Sequence, residues 1–350
     1  MKPRRKQVRD WRAVATALAA QIDHRRLHPA AMQRALVEHE RAKRRGEKPP
    51  RWAVAFSGGA DSLALLLILW AEGPGRWGRD FVAMHFNHRL RGKAADADEK
   101  FCREVCAALG VTFVAGRWAG SRQKASEAEA REARFGFLGR EMRRRRIRLL
   151  WLAHQCDDIA ESMLMRLARG SAAAGLAAPR PVQEMGQGML RLRPLLSLQK
   201  GTITAALKSA GAVWCEDATN AGDDFFRNRV RRRVLPAWAK AAGRDAMAGA
   251  ALSRELLEED DAALQSWVDE LRPVDRYGRL AVVRLAGKPR AVLRRALHRW
   301  LLAVQPETDL SRQGFNQLLG LVAAGRNTRF SLGRRGFAVL REGYLAFRKR

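Results

Sequence analysis

From residue 52 to residue 169, short apolar runs alternate with amphipathic stretches of helical length, and this alternation limits the possible folds more than any other feature. Strand-like runs cover 52–56, 81–86, 111–115 and 149–154, and helical periodicity covers 62–72, 94–109, 124–144 and 157–169. Apolar runs with no polar alternation suit strands covered on both faces, and short links between strand and helix make parallel βα units. The expected fold is α/β: a doubly wound, mostly parallel sheet, followed by a helical segment and a small α+β C-terminal domain.

The flanking segments set the expected domain plan. Residues 1–49 read as a basic helical extension ended by Pro49 and Pro50, and 50–236 as the catalytic domain. Residues 237–272 read as a helical linker and 273–350 as a separate C-terminal domain. Within the latter, 274–285 suits a hairpin or edge strand, 288–304 and 310–323 suit helices, and 328–350 alternates like paired strands. Two local expectations concern breakers. The glycines and proline of GPGRWG (73–78) should stop the first helix of the alternating region, and 170–188, rich in Gly, Ala, Pro and Gln, should form a mobile loop beside the sheet.

The first strand-to-helix junction reads Ser57-Gly58-Gly59-Ala60-Asp61-Ser62. Glycines admit positive φ and close backbone approach, successive N–H groups and a helix N-terminus favour phosphate, and two hydroxyls add donors. A serine-capped tight turn would explain everything except Asp61. An acid repels phosphate unless a divalent cation lies between them, so Asp61 suggests a magnesium-bridged pyrophosphate. The lysine that a γ-phosphate-transferring P-loop carries is missing. Gly73, Gly75 and Gly78 also spell G-x-G-x-x-G, but they follow a helix and precede a strand, the reverse of a dinucleotide site.

Further along, His154 ends a strand, and Asp158 and Glu161 share one face at the start of the next helix. Such a carboxylate pair suits magnesium, a cationic amine, or both; a solvated acidic first turn is the plainer alternative. Arg131 and Arg134 lie three apart on one helix face, spaced to grip a phosphate or carboxylate if they are not simply solvated. Arg227, Asn228 and Arg231 sit in a dense basic run, and Asn87, His88 and Arg91 suit either a site or a capped loop.

The SGGADS turn resembles the PP-loop of the N-type ATP pyrophosphatases, which cleave ATP between the α and β phosphates. MHFNHRLRGKAADADEKF (84–101), EAREARFGFL (129–138), LAHQCDDIAESMLMRLARGS (152–171) and EDATNAGDDFFRNRVRRRVLP (216–236) follow in order. Together they resemble the tRNA(Ile)-lysidine synthase family over about residues 50–236, and more weakly over 285–350. The resemblance implies ATP and magnesium as cofactors, with Ser57, Gly58, Gly59, Ala60, Asp61 and Ser62 binding ATP. It implies catalytic roles for Asp61, His154, Asp158 and Glu161, metal contacts from Asp61 and Asp158, and substrate or adenylate contacts from Arg131, Arg134, Arg227, Asn228 and Arg231. The implied partners are a tRNA(Ile) with a CAU anticodon and free L-lysine, and the implied reaction joins lysine to C2 of the wobble cytidine. Which of Asp158, Glu161 and His154 takes the lysine proton stays open. Two departures stand out: Ala218 replaces a proline of the family's D-P-[ST]-N, beside Asp217, Thr219 and Asn220, and Cys156 adds a thiol next to Asp157.

Charge fits an RNA partner. The 350 residues hold 66 Lys and Arg against 36 Asp and Glu, a net charge of +30, with the arginines clustered at 143–146 and 227–233. Four cysteines without a C-x-x-C pair suit a reducing cytoplasm and speak against a PP-loop tRNA thiolase that carries sulfur or an iron–sulfur cluster. No apolar stretch is long enough to span a bilayer, and no secretory signal is evident, so no membrane partner is expected. The oligomeric state is not set by the sequence, a homodimer being one option. A non-catalytic RNA-binding protein remains the rival from another class, and a zinc deaminase lacks its H-x-E and P-C-x-x-C residues.

Overall fold

The computed structural model describes residues 9–48, 50–76, 80–119, 126–216, 225–304, 310–334 and 336–350. They divide into two compact units, residues 1–255 and 256–350.

In the first unit, α1 (Trp11–Gln21) and α2 (Pro29–Arg44) precede β1 (Trp52–Ala55), α3 (Ala60–Arg76), β2 (Phe81–Asn87), α4 (Lys93–Leu109), β3 (Thr112–Arg117), α5 (Glu127–Arg144), β4 (Leu149–Trp151) and α6 (Cys156–Leu167). There follow α7 (Ala173–Leu176), β5 (Val182–Glu184), β6 (Leu190–Leu192), α8 (Lys200–Ser209), α9 (Phe226–Arg229), a π-helical turn over Val230–Val234 and α10 (Leu235–Ala242). The six-stranded sheet runs β3-β2-β1-β4-β6-β5, parallel except for antiparallel β5. The doubly wound expectation holds, and strand order reverses between β1 and β4, where such sheets open a crevice at their carboxyl ends.

Both faces of the sheet are covered, which is why its strands read as continuous apolar runs. Trp52, Val54, Phe81, Leu149 and Trp151 face a core completed by α1, α3, α4 and α8. Ala53, Ala55, Val82, Met84 and Leu150 face a second core with Phe137, Leu138 and Met142 of α5. Trp52 stacks on Phe81 at 4.1 Å between centroids, a contact adding about 1 kcal/mol to the area buried. The N-terminal segment is built into the same structure, since Trp11, Val14, Ala15 and Leu18 of α1 are buried against α3.

Two local expectations are corrected. The helix after β1 does not stop at GPGRWG but runs through Gly73, Pro74 and Gly75 to Arg76. Every residue from Leu63 to Trp70 is buried, and that burial outweighs the one intrahelical bond a proline forfeits. Gly78 lies outside the described residues. The 170–188 segment holds α7 and the edge strand β5, which pairs Val182 with Leu192 and Glu184 with Leu190. Three-residue strands are too short to show a period.

The second unit contains most of α11 (Ala246–Leu271), then β7 (Leu280–Ala281), α12 (Arg290–Val304), α13 (Arg312–Ala323), β8 (Thr328–Ser331), β9 (Gly336–Arg341) and β10 (Tyr344–Lys349). Its antiparallel sheet runs β7-β10-β9-β8 over a core that includes Val268, Leu297, Trp300, Leu318 and Leu340. The region expected as a hairpin or edge strand supplies β7 and the isolated Val274–Leu280 bridge.

Candidate active site at the carboxyl ends of β1 and β4

The turn after β1 is held by its own hydroxyls. The Ser62 hydroxyl donates to the Gly59 carbonyl at 2.9 Å and accepts the Ser57 N–H at 3.2 Å, and the two serine oxygens lie 3.0 Å apart. Gly58 has φ +88°, and a Cβ there would come within 3.0 Å of Cys102 Sγ and 3.1 Å of Cys215 Sγ. The Cys215 N–H donates to the Gly58 carbonyl at 3.0 Å, tying the chain after α8 to the turn. Ala60 and Asp61 begin α3, with the acid in its first turn.

Asp61 is the electrostatic anomaly of the site. Its Oδ1 is buried and has no hydrogen-bond partner among the described residues. Burial and the nearby Asp158 charge raise its pKa from 3.8 to about 6, although Lys200 and Arg231 pull the other way. A buried, unpartnered carboxylate facing a second carboxylate fits a divalent cation. No group of three or more His, Cys, Asp or Glu that would hold a metal occurs among the described residues, but magnesium needs only one or two carboxylates when phosphates and water complete its shell.

The turn after β4 is built around a reciprocal cap. Gln155 Oε1 accepts the Asp157 N–H at 2.6 Å, and Asp158 Oδ2 accepts the Gln155 N–H at 3.0 Å. The other oxygen of Asp158 faces away from the cap and accepts Arg227 Nη2 at 2.5 Å. Glu161, one turn on and 1% exposed, accepts Arg227 Nε at 2.8 Å and both Nε and Nη2 of Arg231, at 2.5 and 3.1 Å. Two buried carboxylates and two half-buried guanidiniums therefore form one cluster. Arg227 and Arg231 are four residues apart across the start of the π-helical turn, and Asn228 between them is buried.

His154 lies beside a second arginine group. Its Nδ1 accepts Arg193 Nε at 3.2 Å, and burial plus the charges of Arg193, Arg227, Arg134 and Arg131 hold its pKa well below the usual histidine range. Arg131, Arg134 and Arg191 surround the Phe135 ring, with Cζ atoms 4.9, 5.8 and 4.2 Å from its centroid. Burial and neighbouring arginines lower the pKa of Arg134 to about 10, so it stays cationic at neutral pH. This is a cation-rich wall suited to an anion.

A cavity of about 1130 Å³ opens over the turn, lined by Ser57, Asp61, Phe86, Arg134, Lys200 and Arg231 among others. His154, Asp158 and Glu161 do not line it directly; Arg231 stands between the carboxylates and the cavity. A second cavity of about 640 Å³ opens at the opposite strand ends, among Arg34, Arg45, Arg51 and Arg148, and no expected site residue lines it. Asn87 is buried and donates to Asp96 and Glu99, while Arg91 pairs with Asp98, so both brace α4. Cys156 donates to the Met247 carbonyl, and burial with Asp157 and Asp245 pushes its thiol up to about 11. Residues 217–220, including Asp217, Thr219 and Asn220, lie outside the described residues.

Lys200, Arg191 and Arg193 join the candidate site without belonging to any motif in the sequence. Lys200 opens α8, fixed there by its N–H bond to Asp157 Oδ2 at 3.0 Å. The strand RLR of β6 was the one available signal for the two arginines.

A PP-loop domain model matches residues 27–238, well over half the chain. The chain belongs to the PP-loop family. It is 36% identical over 282 residues to a tRNA(Ile)-lysidine synthase of Geobacter sulfurreducens, covering 77% of this chain and 58% of that protein. It is 33% identical over 253 residues to the enzyme of the same name from Bacillus licheniformis, covering 69% and 52%. The chain thus spans little more than half the length of these PP-loop relatives. Among solved structures it is similar in fold to a U34-tRNA thiolase from Methanococcus maripaludis with its 4Fe-4S cluster, at TM-score 0.53 and 15% identity over 69% of this chain and 80% of that one.

Proposed function

We propose that this PP-loop protein uses ATP to join lysine to C2 of the wobble cytidine in the CAU anticodon of tRNA(Ile), releasing AMP and pyrophosphate. The observation that carries the reading is Asp61 of the PP-loop turn lying close enough to Asp158 to feel its charge, in a chain similar to tRNA(Ile)-lysidine synthases over most of its length.

The chemistry follows from the parts. The turn residues Ser57 to Ser62 receive the ATP phosphates on backbone N–H groups, hydroxyls and the N-terminus of α3. Asp61, with Asp158 close by, would hold a magnesium ion, which would supply positive charge to the pyrophosphate. The cytidine C2 oxygen attacks the α-phosphate and pyrophosphate leaves; the lysine amine then attacks C2 and AMP leaves. Asp158 and Glu161, which pair with Arg227 and Arg231, would receive the lysine ammonium. Lysine entry therefore exchanges one cation for another and releases guanidiniums, beside Arg131 and Arg134, for the RNA or adenylate phosphate. The excess charge of +30 supplies the remaining RNA affinity through phosphate contacts, which makes binding steeply salt-dependent.

The thiolase reading rests on fold likeness alone. Burial pushes the thiols of Cys106, Cys156 and Cys215 up to about 12, 11 and 12, and raises Cys102 further, so none is a ready thiolate. The test is mass analysis of nucleosides from tRNA(Ile) incubated with protein, ATP and isotopic lysine. A lysine-labelled cytidine that disappears with Asp61→Ala supports the reading; sulfur incorporation, or no modification, overturns it.

A further inference from the structure

Arg193 is 3% exposed, yet among the described residues none of its hydrogen bonds goes to a carboxylate. Nη1 donates to the Arg180 carbonyl at 2.7 Å, Nη2 to Gln183 Oε1 at 2.8 Å and Nε to His154 Nδ1 at 3.2 Å. A guanidinium has donors only. The nitrogen it meets must therefore offer a lone pair, which puts the single ring proton of His154 on Nε2. Gln183 and Arg180 come from β5 and the turn before it, so the guanidinium plane is fixed on two sides before it reaches the imidazole. The other charged groups facing His154 are Arg227 of α9 and Arg131 and Arg134 of α5, all cations that oppose a second ring proton.

We propose that Arg193 is a positioning residue that holds His154 as a neutral Nε2–H hydrogen-bond donor toward the adenylated centre, so that His154 is not the acceptor of the lysine proton. What the Nε2–H meets rests on the lysidine-forming reading; the tautomer does not. The ammonium proton of lysine then passes to a carboxylate oxygen of Asp158 or Glu161, and the imidazole donates to a phosphoryl or C2 oxygen as charge gathers there.

The test begins with the free, full-length protein labelled with ¹⁵N in histidine, the His154 ring being assigned by its loss in His154→Gln. Long-range ¹H–¹⁵N spectra should show an unprotonated Nδ1 and a protonated Nε2 between about pH 6 and 8. A proton on Nδ1, or an imidazolium at pH 7, overturns the proposal whatever reaction the protein catalyses. In Arg193→Met the same ring should titrate at a higher pH than in the wild type, still below the ordinary histidine range because burial and Arg227, Arg134 and Arg131 remain, and kcat should fall about 100-fold with little change in KM for ATP. Gln183→Leu removes the tie to β5 but leaves the bond to His154, and should keep kcat within about threefold of wild type. If Gln183→Leu loses as much activity as Arg193→Met, Arg193 only anchors β5 and the proposal fails.

Discussion

Arg231 closes on both oxygens of Glu161, with Nε on Oε1 at 2.5 Å and Nη2 on Oε2 at 3.1 Å, joining α6 to the π-helical turn seventy residues later in the chain. Arg227 adds a third bond to the same carboxylate. Glu161 is thus the buried counter-ion shared by two half-buried arginines. Glu161→Gln would leave both facing a neutral amide, and removing one partner from a buried pair costs about 3–5 kcal/mol. Urea unfolding of the variant should show a loss of that order, whereas Arg231→Lys, which keeps a charge but loses the fork, should lose about 1–2 kcal/mol. No loss in Arg231→Lys would mean that the fork geometry contributes nothing, and a loss equal to that of Glu161→Gln would mean that the charge alone contributes nothing.

Asp61 should weaken the fold it serves. Because its pKa is raised from 3.8 to about 6, the folded state keeps a proton that the unfolded chain has released. Stability therefore falls as pH rises through that window, and the penalty is complete above about pH 6. Asp61→Asn should stabilise the free protein at pH 7.5 by about 2 kcal/mol and reduce ATP-dependent activity to background. A thermal shift that is absent, or as large at pH 4 as at pH 7.5, would contradict this.

Gly58 cannot take a side chain for two separate reasons. Its φ of +88° is strained for any L residue, and an added Cβ meets two sulfur atoms. Gly58→Ala should weaken ATP binding at least about tenfold, read by equilibrium titration. Pairing it with both Cys102→Ala and Cys215→Ala relieves only the sulfur contacts, so partial rescue is expected; full rescue would show that the backbone is not strained.

The thiols should be slow to react. Alkylation of the native protein at pH 8 should be far slower than that of the unfolded chain at all four cysteines, since burial holds each as the neutral thiol. Cys156→Ala should retain lysine-dependent AMP release within about threefold. Loss of activity in that variant would give the thiol a chemical part that its bond to Met247 does not suggest.

Strands β1, β2 and β4 were legible because both faces are covered, leaving mainly apolar runs, and edge strand β3 because Phe113, Val114 and Ala115 are apolar although Thr112 and Arg117 at its ends are exposed. Three-residue β5 and β6 left no such trace: β6 is placed by its pairing with Trp151 and its neighbours in β4, a non-local fact, and β5 by its pairing with β6. The same distinction separates the site residues. Ser57 to Ser62 form a local pattern at one turn, and Asp158 and Glu161 share a helix face one turn apart. Arg193 acquires its partner only because β6 lies beside β4, and Lys200 only because α8 begins where Asp157 caps it. The proximity of Asp61 to Asp158 is likewise a product of strand order, since β1 and β4 are neighbours in the sheet and far apart in the chain.

The burial of α1 bears on how this molecule can be dissected. The family match begins at residue 27, yet Trp11, Val14, Ala15 and Leu18 complete the core that α3 crosses, and α3 carries the phosphate turn at its start. A fragment trimmed to the family boundaries would bare that apolar face of α3, and a measurement on it would report a damaged support, not a minimal enzyme.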